Sequence, residues 1–511
     1  MPDNILEMQD ITKIYGNGVY ANKEITLKVK KGEIHALMGE NGAGKSTLMK
    51  VLFGIEQLDG GKILFEGKDV TNKNPQEIID AGIGMVHQHF MLINSLKVYE
   101  NVILGMEPKK GISTNVKKSI DLVKDLSKKY NLKVDPNEIV DNLSVGIKQK
   151  VEILKVLARN AKLLILDEPT AVLTPQETQE LFEQLLLLKN AGHTIIFISH
   201  KIREVMQICN RVTVIRGGKF VKTIDVETSS EEEISRLMVG RDVILKLNKK
   251  PPKFGKCILD VRNVSYTNSL HKKKLNSVNF KLHKGQILGV AGVEGNGQNE
   301  LADCIFGLNN AKGEILYDGE DISNYSIMKR RNKGLSYIPE DRISTGLAEH
   351  SMVWQNLIID RIDKDDIKSY KCLDYKKIRN FSKEKIKEFQ ILCKDENQES
   401  GMLSGGNMQK IVVAREMSSN PKLLIANQPT RGIDVGANEF IWNKLIDYRD
   451  KEAAILLISA DLNEILELSD SIMVMYEGEV TAYFEDSKSV SEEELGKYML
   501  GLKKQMRDER L

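Results

Sequence analysis

KGEIHALMGENGAGKSTLMKVLFGI, residues 31–55, decides the reading of this chain, because it returns as KGQILGVAGVEGNGQNELADCIFGL at residues 284–308. The offset is 284 − 31 = 253. Further on, LSVGIKQKVEILKVLARNAKLLILDEPT (143–170) returns as LSGGNMQKIVVAREMSSNPKLLIANQPT (403–430), an offset of 260. SEEEISRLMVG (230–240) is echoed by SEEELGKYMLG (491–501), an offset of 261. The two halves correspond almost end to end. The rise from 253 to 260 gives the second half roughly seven extra residues, expected in the Lys-rich, Pro-free segment 364–394. Paired prolines and a basic cluster in NKKPPKFGK (248–256) interrupt every periodic pattern and read as a short linker between domains 1–247 and 257–511.

Within each half, short β-branched runs alternate with helical periodicity. In the first these are EIHALMG (33–39), GIGMVHQ (82–88), KLLILDEP (162–169), TIIFISH (194–200) and RVTVIRGG (211–218). Strands alternating with helices predict a mostly parallel sheet with helices on its faces, so each half is an α/β domain. A length of 511 residues agrees with two domains or more.

Composition narrows the function classes. Lys plus Arg number 74 and Asp plus Glu 72, a net charge of +2, which supplies no global field for nucleic acid or an anionic membrane. Five cysteines without CxxC spacing suggest neither a disulfide framework nor a zinc site, and suit a reducing cytosol. The acidic start MPDNILEMQD lacks the pattern of a secretory signal, and LLLL (185–188) is far below a membrane span, so a soluble chain is expected.

GENGAGKST (39–47) fits G-x-x-x-x-G-K-[ST] between an apolar strand (33–38) and a helical segment (48–53), the context a phosphate-binding loop requires. Its glycines turn backbone N–H groups inward on a polyphosphate. Lys45 then reaches the β and γ phosphates, and Ser46 is placed to ligate Mg²⁺. LLILDEP (163–169) ends a strand in two carboxylates, suited to bring Asp167 to the metal and Glu168 to an attacking water. TIIFISH ends in His200, within reach of the γ-phosphate and that water.

With these motifs the chain resembles the ATP-binding cassette ATPases, specifically the tandem-cassette subunits of bacterial nucleoside and simple-sugar importers, over essentially its whole length. The resemblance implies two tandem P-loop NTPase (RecA-like) domains, each with a helical subdomain. It also implies that Tyr15 stacks on adenine and that Gly39, Asn41, Gly42, Gly44, Lys45, Ser46 and Thr47 form Walker A. Gln88 is the Q-loop glutamine, a ligand of Mg²⁺ with Ser46 and Asp167. Asp167 and Glu168 are Walker B, and His200 is the switch histidine. LSVGIKQK and LSGGNMQK stand at the signature position, each serine 23 residues before its Walker B residue (167 − 144 and 427 − 404).

Family architecture implies two cassettes sandwiching ATP head to tail, each site joining one cassette's Walker motifs to the other's signature. In the second half Lys45, Ser46, Gln88, Asp167, Glu168 and His200 become Gln298, Asn299, Glu340, Asn427, Gln428 and Ala460. A neutral amide is no general base at neutral pH. In the first half the signature carries Val145 and Ile147 where the second has Gly405 and Asn407, and Thr174 stands where the second has Asp434. Pairing the first Walker set with Ser404, Gly405, Gly406 and Asp434 gives an intact site; the opposite pairing collects every loss. Random decay would scatter the losses over both.

The resemblance implies an ATP hydrolase coupled to uptake, with ATP and Mg²⁺ as cofactors. Its partners would be two membrane permease subunits and, indirectly, an extracytoplasmic solute-binding protein, with no nucleic acid. The chain would lie peripherally on the cytoplasmic face of the membrane. The competing class is a soluble tandem cassette acting on the ribosome or nucleic acid, which characteristically has a long charged linker and two competent cassettes. VHQHFML, DEPTAVLTP and IPEDR look most like the nucleoside branch, with the ribose and galactose branch close behind.

Overall fold

The computed structural model describes residues 4–15, 20–40, 42–87, 90–110, 113–170, 173–240, 249–370, 372–433 and 435–506. It forms two compact units, Met1–Val243 and Ile244–Leu511.

In the first unit, the runs that read as strands in sequence line up as one sheet. Its order is Lys219–Asp225, Arg211–Arg216, Ile34–Met38, Thr194–Ile198, Leu163–Asp167, Ile83–Val86, all parallel except the first. IHALM and TIIFI are buried at every position, as strands covered on both faces must be. A second, antiparallel sheet orders Tyr20–Lys30, Asn4–Ile14, Gly60–Phe65 and Lys68–Asp69. Helices Val98–Ile103, Val116–Lys129 and Val145–Leu157 pack together as a helical layer. The helix after the phosphate loop starts at Lys45, three residues before the predicted segment, because the loop ends at Gly44.

The second unit repeats this plan, with sheet order Leu335–Ile338, Leu423–Asn427, Ala454–Ile458, Ile287–Ala291, Ser471–Tyr476, Glu479–Phe484. Alternate residues of one strand enter opposite cores: Leu424 and Ala426 pack with Ile411 and Leu445, while Leu423 and Ile425 pack with Leu301 and Ile305. Both units are therefore α/β with helices on both faces of a parallel sheet.

Residues 249–256 are held by the second unit. Lys249 pairs with Asp470 at 2.9 Å, Arg449 donates to Lys250 O at 2.9 Å, and Phe254 stacks on His283.

The extra residues of the second unit do not all fall within 364–394. Asn101 and Asn356 play one role, each accepting a backbone N–H (Ile93, Ala348) and returning its amide to the same residue's carbonyl. Their offset is already 356 − 101 = 255, whereas Gly82 and Gly334, which both accept the N–H of an equivalent lysine, differ by 252. Three residues thus enter at the turn Arg342–Gly346. Most of the remainder lie at 359–374, where two 3-10 turns and a small hairpin precede the helix Tyr375–Glu388.

Candidate functional site

The phosphate loop of the first unit leaves the strand Ile34–Met38 and enters the helix Lys45–Leu52 through Gly44, whose φ of 96° is left-handed. A Cβ there would come within 2.3 Å of Ala21 O and 2.4 Å of Asn22 Nδ2, so only glycine fits. Buried Asn22 donates to Gly44 O at 3.0 Å and anchors the loop. The helix has no side-chain cap and no acid in its first turn, which leaves its leading N–H groups open to an anion.

Lys45 folds back over the loop, its Nζ donating to Gly39 O at 2.6 Å and Glu40 O at 3.0 Å. Burial lowers its pKa, while Glu168 and Asp167 act in the opposite direction. Ser46 is exposed beside it. Thr47 Oγ1 lies 3.5 Å from the Tyr15 hydroxyl, which places Tyr15 next to the loop.

The parallel register sets Ile198 opposite Asp167 and brings two strand ends together. Glu168 leaves the strand at a left-handed φ of 46°, with its N–H on Ile198 O at 3.0 Å. That turn places Glu168 Oε1 2.9 Å from His200 Nδ1. Burial alone would raise the Glu168 pKa, but the hydrogen bond and charge of His200, with Lys45 and Lys201, outweigh it and hold the carboxyl below its usual range. An ionised carboxylate only accepts, so His200 Nδ1 carries the shared proton and Nε2 faces elsewhere. Asp167 behaves oppositely: burial, then the Glu168 charge, push it up to about 6, with Lys45 opposing.

Among the described residues no group of three or more His, Cys, Asp or Glu side chains is placed to hold a metal ion by itself. A hydroxyl and a carboxylate near an anion-binding loop suit Mg²⁺ that takes its other ligands from phosphate oxygens and water. Asn41, Gln88 and Asp434 lie outside the described residues.

The equivalent place in the second unit is filled by its own side chains. Asn427 donates to Asn299 Oδ1 at 2.9 Å, Asn299 donates to Glu340, and Arg431 pairs with Glu340. Gln298 donates to Val293 O at 3.1 Å and so reproduces only part of what Lys45 does. Gln428 keeps the left-handed turn at φ 53°, but its Oε1 accepts the N–H of Ala460 at 3.1 Å.

Ser144 and Ser404 each cap a helix, Val145–Leu157 and Gly405–Ser418, by accepting the N–H of Ile147 and Asn407 at 3.4 Å. A Cβ at Gly405 would meet Arg342 Nη2 at 2.8 Å, where Arg342 reaches Arg431 O at 2.7 Å. Gly406 is buried, and Val145 is 37% exposed.

Two side chains escaped the sequence reading. Glu204 accepts from Thr170 at 2.7 Å and Ser199 at 3.1 Å, tying the segment after Glu168 to the residue before His200. Its signal was repetition, since Glu464 stands at the same distance from Ala460 and accepts from Thr430 at 2.8 Å. Asn22 had no such signal, because its counterpart is Leu275.

A family model described as ABC transporter matches residues 22–171 and 275–431. The chain is 41% identical over 500 residues to the nucleoside import ATP-binding protein NupA of Lactococcus lactis subsp. cremoris (strain MG1363), covering 98% of each chain. It is 43% identical over 502 residues to the guanosine import ATP-binding protein NupO of Bacillus subtilis (strain 168), covering 97% of each. Identity is 37% over 490 residues to the galactose/methyl galactoside import ATP-binding protein MglA of Fusobacterium nucleatum subsp. nucleatum, covering 96% of this chain and 97% of that one.

Proposed function

The chain belongs to the ABC transporter family, and on that footing we propose that its two units together form one hydrolytic site and one degenerate site. It is the ATP-binding and ATP-hydrolysing subunit of an ABC importer. The hydrolytic site joins Lys45, Ser46, Asp167, Glu168, His200 and Gln88 to Ser404, Gly405, Gly406 and Asp434, with Tyr15 against the base and the loop 39–47 around the phosphates. What carries this reading is the contrast between the units. The first brings a cation, two carboxylates and a histidine around an open helix N-terminus, whereas the second ties the equivalent positions to one another.

Glu168 is the base: ionised and oriented by His200, its carboxylate accepts a proton from the attacking water. Lys45 and the loop N–H groups hold the phosphates, and the Ser404 helix closes the open side with its own N–H groups. Mg²⁺ held by Ser46, Asp167 and Gln88 would neutralise the charge on the β and γ phosphates. The degenerate site lacks both base and lysine. Vanadate trapping in a reconstituted complex tests the count: a single nucleotide per chain is expected, and two would contradict it.

For the solute class we favour nucleosides over simple sugars, on 43% identity to a guanosine import protein against 41% to a glucose one and 37% to a galactose one. The partners are two membrane permease subunits and, indirectly, a solute-binding protein. Among the described residues no helix is long and apolar enough to cross a membrane. As the ATP-binding partner of permeases, the chain sits on the cytoplasmic face and they supply the path. Uptake of labelled guanosine and galactose by cells lacking the chain decides the class. Loss of galactose uptake alone would overturn it.

A further inference from the structure

Three segments of the second unit meet at one side chain that belongs to none of the motifs described above. The strand Leu335–Ile338 runs out through Glu340 and Asp341 into the turn Arg342–Gly346. Asp341 locks that turn. Its carboxylate accepts the N–H of Ile343 at 2.8 Å and the hydroxyl of Ser344 at 2.6 Å, and its carbonyl accepts the N–H of Gly346 at 3.0 Å. The turn rests on the signature helix Gly405–Ser418, where Arg415 donates to Gly346 O at 2.8 Å. Beside Arg415, fully buried Glu416 takes Arg331 in a bidentate pair at 3.0 and 3.1 Å, which fixes the far end of that helix.

Arg342 fixes the near end. Its Nη1 donates to Arg431 O at 2.7 Å and its Nη2 to Gly432 O at 3.4 Å. The side chain of Arg431 in turn pairs with Glu340, two residues before Arg342. The two loops thus grip each other in both directions, each giving a guanidinium and each accepting one. The Arg342 guanidinium also lies against Gly405, the first residue of the signature helix, where a Cβ would stand 2.8 Å from Nη2 and 3.4 Å from Cζ. Gly405 is therefore required inside its own unit, whatever approaches it from outside. The first unit has none of these parts: in place of Glu340, Arg342, Gly405 and Arg431 its sequence has Gln88, Phe90, Val145 and Ala171.

We infer that Arg342 is a positioning residue of the hydrolytic site. It ties the loop 428–433, which leads to Asp434, to the helix headed by Ser404, so that both groups are presented to the first unit's ATP as one rigid surface. This rests on the reading above that the second unit's signature serves the first unit's site. Donors fixed in advance need no rearrangement at the moment of reaction, and a misplacement of about 1 Å costs on the order of 10²-fold in rate.

The test measures ATP hydrolysis by the full chain assembled with its permeases, beside ATP affinity and Tm of the chain. Arg342→Ala should lower kcat about tenfold or more and leave ATP affinity within about twofold, because the loop 39–47 is untouched. Arg342→Lys keeps the charge but cannot span both carbonyls, and should recover the rate only to within about fivefold of wild type. Should Arg342→Ala not fold, Arg342→Gln takes its place. Gly405→Ala displaces the guanidinium, so adding Arg342→Ala to it should cost less than about threefold more. Wild-type kcat in Arg342→Ala, fully additive losses in the double variant, or a lower Tm with kcat per folded molecule unchanged each overturn the inference. Ser404→Ala measured alongside separates the two readings. If it also keeps the wild-type rate, the composite site fails; if it loses rate and Arg342→Ala does not, only the positioning role of Arg342 fails.

Discussion

Replacing Glu168 by glutamine exchanges one carboxylate oxygen for an amide and leaves the shape almost unchanged. The molecule contains its own steric control. Gln428 occupies the equivalent turn at φ 53° against 46° for Glu168, with its N–H on Ile458 O at 2.7 Å, and it is well accommodated. The stability cost is therefore small. The charge-assisted bond from His200 at 2.9 Å becomes a neutral one, a loss of about 1 kcal/mol. Turnover is a different matter, because removing a general base costs roughly 10²–10⁴ in rate, or about 3–5 kcal/mol of barrier. Phosphate release at saturating ATP, measured beside ATP binding and thermal unfolding, should show a collapsed rate on a nearly unchanged fold. Gln428→Ala, which cuts a base-free site, should stay within about threefold of wild type. If Glu168→Gln keeps more than about a tenth of the activity, or both variants lose equally, the assignment of Glu168 as base is wrong.

Gly44→Ala should abolish ATP binding, measured by equilibrium dialysis, because it adds a Cβ at 2.3 Å from Ala21 O on a left-handed residue. Glu204→Gln should lower kcat about tenfold with KM nearly unchanged, and Glu204→Asp should restore much of it, since Glu204 acts by positioning Glu168 and His200. Fully buried Glu464 has its pKa raised by burial to about 7. Its stabilising effect is complete below the unfolded carboxyl range and is lost as pH rises through about 7. Glu464→Gln should remove that part of the pH dependence, seen as a higher Tm than wild type at pH about 8 and a similar one at pH about 4.

The fold and the first site were readable in sequence because their signals are local. Three glycines and a lysine stand within nine residues in GENGAGKST, directly after the apolar run IHALM, and the backbone there carries the anion site directly. Duplication added a second reading of every element. What escaped depends on residues far apart in the chain: Arg331 and Glu416 meet across 85 positions, and Asn22 reaches Gly44 across 22. The offset between repeats counts inserted residues without locating them, so the turn Arg342–Gly346 was hidden inside the total. The losses in the second half were visible as single substitutions. Their mutual hydrogen bonding, Asn427 to Asn299 to Glu340 to Arg431, needed coordinates.

The central claim is that the serine heading the second unit's signature helix completes the first unit's ATP site, and a matched pair of substitutions tests it directly. Ser144→Ala and Ser404→Ala each remove a helix cap that accepts an N–H at 3.4 Å, at about 1 kcal/mol of stability, and Ser404→Ala also removes the 2.9 Å bond from Asn407 Nδ2. Turnover should fall roughly 10²-fold or more for Ser404→Ala and hardly at all for Ser144→Ala. Equal rates in the two variants, or a greater loss from Ser144→Ala, would contradict the account.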